Sequence, residues 1–446
     1  MPDPMVPMTS MIRDTGIIFA SRVACIILGL ATQSVLAWML GAGPRGSYAV
    51  CIIFASMLML AFQLGVDVAS VYFVASRRFT LSEGLTYILI SGGVGGLLAI
   101  VAGFVALQMP LAFFDKAPNF SFTLALLHML VMFFSIPISQ LLIAVHDFSW
   151  SAILNILTAT IHLVLAGCLL LVFPESVNAA LVGVMASGLF GILFSVTILC
   201  RKYKARLVRP RLSPLLAMLS YGARYYFGKL SNQVNFHIGT IILGFFAVES
   251  EIGLFSVASI LATQTLMIPD ALSTVLMPRV AVDEKGRHEL VAQCARVAGV
   301  FCAFVLLVLC LVATPFVRIA FSQEFLPMVP LVRIMAIGVL FRSISKLFVP
   351  YLIGMNHPGT ASLAVGAGVA ANLLLLWLLM PRFELNGAAM AMTGNYLLSA
   401  AILIWAFVSI SKMNLRSTLQ LRRSDWDPMR RIWVGVFGSP ASERGV

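Results

Sequence analysis

The chain has 446 residues, of which 60% are hydrophobic and only 11% are charged, with a formal net charge of +12. Its mean hydropathy is +0.98. A soluble domain is about half apolar and about a quarter charged, so a water-soluble fold cannot hide this much apolar surface. The composition therefore excludes an ordinary soluble enzyme or binding domain and predicts that lipid surrounds most of the chain.

Lysine and arginine are concentrated in short segments between the apolar runs. This clustering follows the positive-inside rule, so anionic lipids of the inner leaflet are the expected electrostatic partner and nucleic acid is not. The seven cysteines lie within or beside apolar runs and form no Cys-X-X-Cys pair. The histidines show no metal-binding spacing either, so we expect no metal and no cofactor.

The apolar runs predict membrane-spanning helices, since one crossing needs about 20 mostly apolar residues. The segments predicted as helices lie near 14–40, 47–76, 82–107, 121–145, 150–173, 178–200, 215–247, 253–279, 289–314, 328–353, 361–380 and 387–410. Short connections rich in Pro, Gly or charge separate them, such as 41–46. Because twelve crossings put both termini on one side, and most loop lysines and arginines lie there, we predict cytoplasmic termini.

The two halves of the chain resemble each other. Gly46-Ser-Tyr-Ala-Val50 opens the second predicted helix, and Gly253-Leu-Phe-Ser-Val257 opens the eighth, 207 positions later. Asn178 and Asn386 precede the sixth and twelfth helices at an offset of 208. A repeat of six helices keeps one orientation, so the halves should be related by a pseudo-twofold axis along the membrane normal.

This repeat defines the predicted domain organisation. The fold class is an all-α polytopic membrane protein of about twelve transmembrane helices in two pseudo-symmetric six-helix lobes. The N-terminal lobe covers 1–200 and the C-terminal lobe covers 214–410. A basic cytoplasmic linker, 201–213, joins them, and a basic cytoplasmic tail, 411–446, follows.

The seventh predicted helix has a polar half. Counting about 20 residues back from its outer end places five polar side chains within the bilayer: Lys229, Asn232, Gln233, Asn235 and His237. Such a half-helix must face protein or a water-filled cavity. We therefore place Lys229, Asn232, Gln233 and the nearby Arg224 in a substrate cavity, and Asn235 and His237 as candidates for ion coupling or charge pairing. Packing by interhelical hydrogen bonds is the alternative interpretation.

Further cations lie within other predicted helices. Arg342 is near the middle of the tenth helix, and Lys346 follows on the same face at i+4. Arg22 lies in the first helix, either facing the cavity or reaching the inner interface. An ionised side chain in hydrocarbon costs at least about 2.5–3.5 kcal/mol, so each is a candidate for substrate binding.

Two acids lie well inside predicted spans, Asp67 in the second helix and Asp270 in the eighth. They are candidates for binding a proton or Na⁺, or for charge pairing that fixes helix packing, and we favour pairing. The cations outnumber these acids, which favours an anionic substrate such as a lipid diphosphate.

Five segments carry a resemblance to a known family. They are Leu40-Gly-Ala-Gly-Pro-Arg-Gly-Ser-Tyr-Ala49, Glu251-Ile-Gly-Leu-Phe-Ser-Val-Ala258, Ala271-Leu-Ser-Thr-Val-Leu-Met-Pro-Arg279, Phe325-Leu-Pro-Met-Val-Pro-Leu-Val-Arg-Ile334 and Leu385-Asn-Gly-Ala-Ala-Met-Ala391. In order and spacing the chain resembles the lipid-linked oligosaccharide flippases of the multidrug/oligosaccharidyl-lipid/polysaccharide exporter superfamily. The family often has an acid near Asn235, and its absence here leaves the coupling ion open.

The resemblance implies a transporter and not an enzyme. It implies alternating access that moves an undecaprenyl-diphosphate-linked oligosaccharide, of an O-antigen, capsule or exopolysaccharide, to the periplasmic leaflet of the bacterial inner membrane. The expected transport unit is a monomer, and a polysaccharide polymerase or glycosyltransferases are expected partners. The alternatives are a cation-coupled multidrug exporter of the same superfamily and, from another class, a membrane-embedded polysaccharide polymerase or ligase.

Overall fold

The structure is a computed structural model that describes residues 8–282, 287–355, 357–422 and 425, without the side chains of 8–16, 18–19, 224–232, 234–236, 274–275, 277–282, 287, 354 and 358. The described residues form helices: α1 Met8–Leu40, α2 Ala42–Gln63, α3 Val66–Ala75, α4 Leu81–Leu107, α5 Asn119–Ala144, α6 Phe148–Val172, α7 Val177–Arg201, α8 Leu212–Phe246, α9 Glu249–Thr263, α10 Met267–Val282, α11 Arg287–Ala320, α12 Met328–Ser345, α13 Phe348–Gly354, α14 Pro358–Ser411 and α15 Leu415–Leu419.

Ten helical segments of the described chain are long and apolar enough to cross a membrane. One of them, within α14, has 53 residues, about 80 Å of helix, which is far more than the roughly 30 Å of one hydrocarbon core. The non-helical Glu384, with φ of 49°, divides α14 into two crossings. Counting α14 as two crossings gives eleven, and α8, which has two shorter apolar stretches, gives the twelfth. These helices correspond to the twelve predicted crossings. The prediction of an all-α polytopic fold is confirmed.

Three predicted helices are interrupted, and their apolar runs do not indicate where. The second crossing breaks between α2 and α3, where Leu64 and Gly65 both have positive φ. The eighth contains the 3₁₀ turn Gln264–Leu266 between α9 and α10, and the tenth breaks between α12 and α13. Gly65 relieves the strain of the first break because it has no Cβ.

Lipid-facing apolar side chains account for the unusual composition. Trp377 is 75% exposed and Ile319 is 77% exposed. Many other large apolar side chains are exposed on α4, α6, α11 and α14. Soluble monomers rarely expose large contiguous apolar surfaces, so lipid is the natural solvent of these helices.

The chain divides into two compact units. The described residues of Met1–Ala258 and Thr314–Val329 form the first unit, in which α1 packs on α6, and α5 packs on α4 and α7. The second unit comprises Ser259–Ala313 and Pro330–Val446. Its core includes Phe348 stacked on Phe407 at a centroid distance of 4.5 Å. The predicted lobe boundaries and the linker 201–213 stay predictions.

A reciprocal glycine contact lies in the first unit, between α2 and α9. A Cβ on Gly46 would lie 3.0 Å from the backbone nitrogen of Gly253, and a Cβ on Gly253 would lie 3.1 Å from that of Gly46. Gly46 also meets the carbonyl of Glu249, while Gly253 meets that of Ala42. Both pairs are 207 positions apart, which is the offset of the repeat seen in the sequence. Small residues allow such close backbone approach in membranes.

An ion-pair cluster fixes the start of the segment after α7 to the first unit. Asp147 accepts hydrogen bonds from Lys202 Nζ and Tyr203 Oη, both at 2.5 Å, and from the backbone N–H of Trp150 at 3.4 Å. Farther on, the N–H of Arg206 donates to Ser82 Oγ at 3.0 Å on α4. The connection therefore leaves α7 along α4.

A second cluster anchors the end of the described chain in the second unit. Arg296 of α11 donates to both carboxylate oxygens of Asp425 at 2.8 and 2.7 Å, and to Glu289 at 2.6 Å. It also donates to the backbone oxygen of Ser417 at 2.8 Å. The side chains of Arg296 and Asp425 are 0% and 1% exposed. This part of the predicted tail docks on α11, while 423–424 and 426–446 fall outside the described residues.

Replacing Gly46 by alanine should destabilise the protein by about 1–3 kcal/mol, because the added methyl overpacks a backbone contact. Gly43, one turn away in α2, is the matched control, since a Cβ there meets nothing within 4 Å. Gly43→Ala should be neutral or slightly stabilising. Thermal unfolding in detergent measures both, and equal midpoints for the two variants would contradict the close contact.

The Asp147 cluster predicts a pH dependence of stability. Burial alone raises the pKa of the Asp147 carboxyl, but the hydrogen bonds from Lys202, Tyr203 and Trp150 outweigh it and hold that pKa below its ordinary value. The unfolded carboxyl titrates near pH 3.9. The cluster therefore stabilises the fold fully above about pH 4, and this stabilisation is lost as the pH falls through the folded pKa.

The melting midpoint of the wild type should accordingly fall more steeply below about pH 4 than that of Asp147→Asn. Asp115, an exposed acid with no hydrogen bond or ion pair to the described residues, provides the control. Asp115→Asn should follow the wild-type curve. Parallel curves for wild type and Asp147→Asn would show that the cluster adds no pH-dependent stability.

Candidate functional site

The candidate site in the second unit is a polar cluster at the end of α12. Arg342 lies in the last turn of α12 and is 6% exposed. Its guanidinium lies over the ring of Tyr396, 5.8 Å from the ring centroid. Lys346 follows one turn later on the same face and forms an ion pair with Asp270. The structure thus brings together two predicted cations and one predicted acid within the bundle.

The local sequence explains why Asp270 lies where it does. It occupies the first turn of α10, just after the 3₁₀ turn that interrupts the eighth crossing. The helix continues from the 3₁₀ turn without a gap, since the backbone N–H of Met267 donates to the carbonyl oxygens of Gln264 and Thr265. The Asp270 side chain is 49% exposed, whereas that of Lys346 is 19% exposed. The pair is therefore accessible from the Asp270 side. The charges of Asp270 and Lys346 cancel, so Arg342 gives the cluster a net positive charge.

Asp67 occupies a matching position in the first unit. It lies in the first turn of α3, directly after the break at Leu64 and Gly65, and is 8% exposed. The break packs on α8, since a Cβ on Gly65 would lie 2.6 Å from the backbone oxygen of Gly222. Both intramembrane acids that the sequence singled out therefore begin a short helix after an interrupted crossing.

The predicted residues of α8 are described only in part. The Gln233 amide and the His237 imidazole lie 3.4 Å apart between Nε2 atoms, one turn apart on one face of α8. The side chains of Arg224, Lys229, Asn232 and Asn235 lie outside the described residues. Their assignment to a substrate cavity stays a prediction.

Arg22 lies in α1 of the first unit. Its exposed side chain lines a cavity of about 460 Å³ formed by α1, α5, α6 and α7 within the first unit. No sequence pattern indicates this cavity, because its lining comes from four separate helices.

Arg45 is a buried cation that the sequence analysis assigned to a connection. The structure places it inside α2, where it is 2% exposed. It donates to Gln33 Oε1 at 2.5 Å and lies 5.1 Å from the centroid of the Tyr48 ring. Its Nε makes no hydrogen bond among the described residues. Pro44 is the sequence feature that could have predicted this position, since proline is tolerated in the first turn of a helix and a helix that includes Pro44 also includes Arg45.

Comparison with known proteins gives the family. A family model described as "Polysaccharide biosynthesis protein" matches residues 11–282, more than half of the chain. The chain belongs to this polysaccharide biosynthesis family. The resemblance found in the sequence is confirmed at the level of this family.

Solved structures show the fold. The lipid II flippase MurJ, in an inward closed conformation, matches with a TM-score of 0.72 and 15% identity over 95% of this chain and 93% of that chain. An inward-facing multidrug resistance MATE family transporter of the MOP superfamily matches with a TM-score of 0.71 and 14% identity over 88% of this chain and 96% of that chain. At these identities the likeness shows a common two-lobed helical fold and no particular substrate.

A curated relative matches a smaller part of the chain. The "Uncharacterized membrane protein YabM" of Bacillus subtilis (strain 168) is 29% identical over 108 residues, which are 24% of this chain and 18% of that protein. The chain thus matches about a fifth of the relative's length. Together with the ten apolar helices of the described chain, this match places the protein among multi-pass membrane proteins.

The Lys346–Asp270 pair predicts a measurable coupling. Asp270→Asn removes the partner of a mostly buried ammonium group and should destabilise the protein, as should Lys346→Met. In a double-mutant cycle the two changes should couple by about 0.5–3 kcal/mol, because each removes the same interaction. Thermal or denaturant unfolding in detergent measures the cycle. Strict additivity of the two losses would mean that the pair contributes nothing to stability.

Proposed function

We propose that the protein is an alternating-access flippase. Its substrate is an undecaprenyl-diphosphate-linked oligosaccharide, a unit of an O-antigen, capsule or exopolysaccharide, which it moves from the cytoplasmic to the periplasmic leaflet of the bacterial inner membrane. The observation that carries the proposal is the match to the polysaccharide biosynthesis family together with a flippase-like fold. The protein acts without chemistry on its substrate and so is a transporter and not an enzyme.

The buried cations support an anionic substrate. Arginine binds phosphate oxygens through two parallel hydrogen bonds, and low-polarity surroundings strengthen such bonds. Arg342 is the described cation best suited to hold the diphosphate, with Lys346 beside it. Lys229 and Arg224 complete the proposed set, with Asn232 and Gln233 as hydrogen-bond partners, and Arg22 is assigned to the glycan.

The Asp270 pairing refines the role of Lys346. An ammonium group held by a carboxylate is not free to bind phosphate at the same time, so the diphosphate must compete with Asp270 for Lys346. Protonation of Asp270, or binding of a cation there, would release Lys346 to the substrate. In this scheme Asp270 links ion binding to substrate binding, while Asp67, Asn235 and His237 remain candidates for ion coupling.

The lipid environment accounts for the rest of the cycle. The polyprenyl tail stays in the bilayer, and only the diphosphate and glycan pass between the helices. Anionic inner-leaflet lipids are attracted to the basic segment 201–213 and to the tail. Polysaccharide polymerase and glycosyltransferases would act before or after the flippase, and one chain forms the transport unit.

A cation-coupled multidrug exporter is the second candidate, because a MATE transporter matches the fold almost as well as MurJ does. A pump for cationic drugs should carry an excess of acids in its cavity, whereas the described cluster has two cations and one acid. Efflux of cationic dyes from cells that express the protein, beyond that of an Asp270→Asn variant, would favour this candidate.

Flipping in liposomes tests the proposed function. Removing Arg342 and Lys229 together should slow the flipping of a labelled lipid-diphosphate glycan by at least about tenfold, since a hydrogen bond to a charged group is worth about 1.5–3 kcal/mol. The matched control is Arg382→Ala, which removes an exposed arginine of α14. Unchanged flipping by the double variant would exclude these residues from transport, and absence of flipping by the wild type would contradict the proposed function itself.

A further inference from the structure

The cavity of the first unit has a lining suited to a hydroxylated ligand. It measures about 460 Å³, which lies within the range of about 300–1,000 Å³ typical of small-molecule sites and far exceeds the roughly 30 Å³ of a water molecule. The polar groups that matter here come from all four helices: Arg22, Ser135, Asn155, Thr158, His162 and Ser187. A site for a single ion or water would not need this volume.

Several of these polar groups are available to a ligand. The hydroxyl of Ser187 donates to the backbone oxygen of Val184 at 2.7 Å and is therefore occupied. In contrast, Ser135, Asn155 and Thr158 have side chains without a hydrogen bond to any described part of the chain. A polar side chain without a partner inside an apolar bundle is costly unless water or a ligand satisfies it.

Gly191 explains how the space between two of these hydroxyls is kept open. A Cβ on Gly191 would lie 3.4 Å from Ser135 Oγ and 3.5 Å from Thr158 Oγ1. Both hydroxyls therefore converge on one point, at ordinary contact distance from a methyl group placed there. An alanine at this position fits without moving the backbone and fills the space that a ligand would use.

His162 adds an unsatisfied buried group to the same wall. Its Nε2 is buried and makes no hydrogen bond among the described residues. A buried polar atom without a hydrogen bond is unfavourable unless water or a ligand provides one. The imidazole lies one turn beyond Thr158 on α6, so these two side chains and Asn155 form a polar stripe along the cavity.

The charge of the lining selects among hydroxylated ligands. Arg22 is the fixed positive charge of the cavity, and its described lining contains no carboxylate. An anion is therefore favoured over a neutral or cationic molecule. The volume and the row of hydroxyl and amide groups favour a ring with several hydroxyls over a bare phosphate.

We infer that this cavity binds a sugar residue that bears a carboxylate, a uronic acid of the transported glycan. The carboxylate pairs with Arg22, and the ring hydroxyls exchange hydrogen bonds with Ser135, Asn155 and Thr158. The choice of a glycan as the source of the sugar rests on the proposed function. The site itself would select acidic glycans over neutral ones, a specificity separate from diphosphate binding at Arg342.

Titration of the purified full-length protein in detergent tests the site. Isothermal titration calorimetry with millimolar sodium glucuronate should show binding to the wild type about tenfold tighter than that of glucose or inorganic phosphate. Equal affinity for glucose would overturn the role of charge, and equal affinity for phosphate would overturn recognition of the ring. No heat with glucuronate would overturn the site.

Two matched pairs of variants locate the binding. Gly191→Ala should weaken glucuronate binding by about tenfold, whereas Gly167→Ala on α6, where a Cβ meets only a methyl group of Val35 at 3.9 Å, should leave it unchanged. Arg22→Gln should abolish the preference for glucuronate over glucose, and Arg22→Lys should retain it. Thermal midpoints verify that each variant folds, and unchanged affinity in folded Gly191→Ala would remove the site from this cavity.

Failure of the site and failure of the proposed function give different results. Glucuronate binding is measured without transport, and flipping is measured with a lipid-linked glycan in liposomes. Binding of glucuronate without flipping would contradict the flippase function and retain the sugar site. Flipping without glucuronate binding would contradict the sugar site alone.

Discussion

The cost of holding charge inside an apolar helical bundle governs the interior of this protein. Each buried cation that the structure describes has a distinct form of compensation. Arg296 has two carboxylates and a carbonyl, Lys346 has one carboxylate, Arg45 has an amide oxygen and an aromatic ring, and Arg342 lies over the ring of Tyr396. A cation whose charge is fully neutralised by hydrogen-bond partners stabilises the fold. A cation that is neutralised only in part can still bind a substrate. Arg296 is fully satisfied and acts as an anchor, whereas Lys346 shares a partner that is half accessible.

Interrupted crossings connect this electrostatic constraint with the fold. A continuous helix has no free N–H groups in the middle of the membrane, but a helix that starts there does. Asp67 lies in the first turn of α3, which begins after the break at Leu64 and Gly65. Asp270 lies in the first turn of α10, which continues directly from a 3₁₀ turn. Breaks such as the one before α3 place a helix start within a crossing. They also create irregular backbone, which is tolerated where protein or a water-filled cavity covers it.

The all-helical fold with many apolar spans could be predicted from the sequence, because it depends on local composition and spacing. The sequence did not predict the breaks, since an apolar run such as 47–76 gives no periodic signal where the chain turns, and Gly65 alone is compatible with packing. Arg45 was misplaced because Gly-Pro-Arg-Gly resembles a turn, whereas Pro44 is accommodated in the first turn of α2. The cavity near Gly191 depends on which faces of α1, α5, α6 and α7 meet, and this is a property of tertiary packing.

The Arg296–Asp425 contact has a practical consequence for handling the protein. Asp425 lies well beyond the last crossing, in a stretch that would ordinarily be considered dispensable. A chain cut after Lys412 would leave the Arg296 guanidinium without its two-point acceptor and without the Ser417 carbonyl, so that Glu289 alone would have to balance it. Affinity tags and fluorescent fusions are therefore better joined beyond Asp425 than at the end of α14.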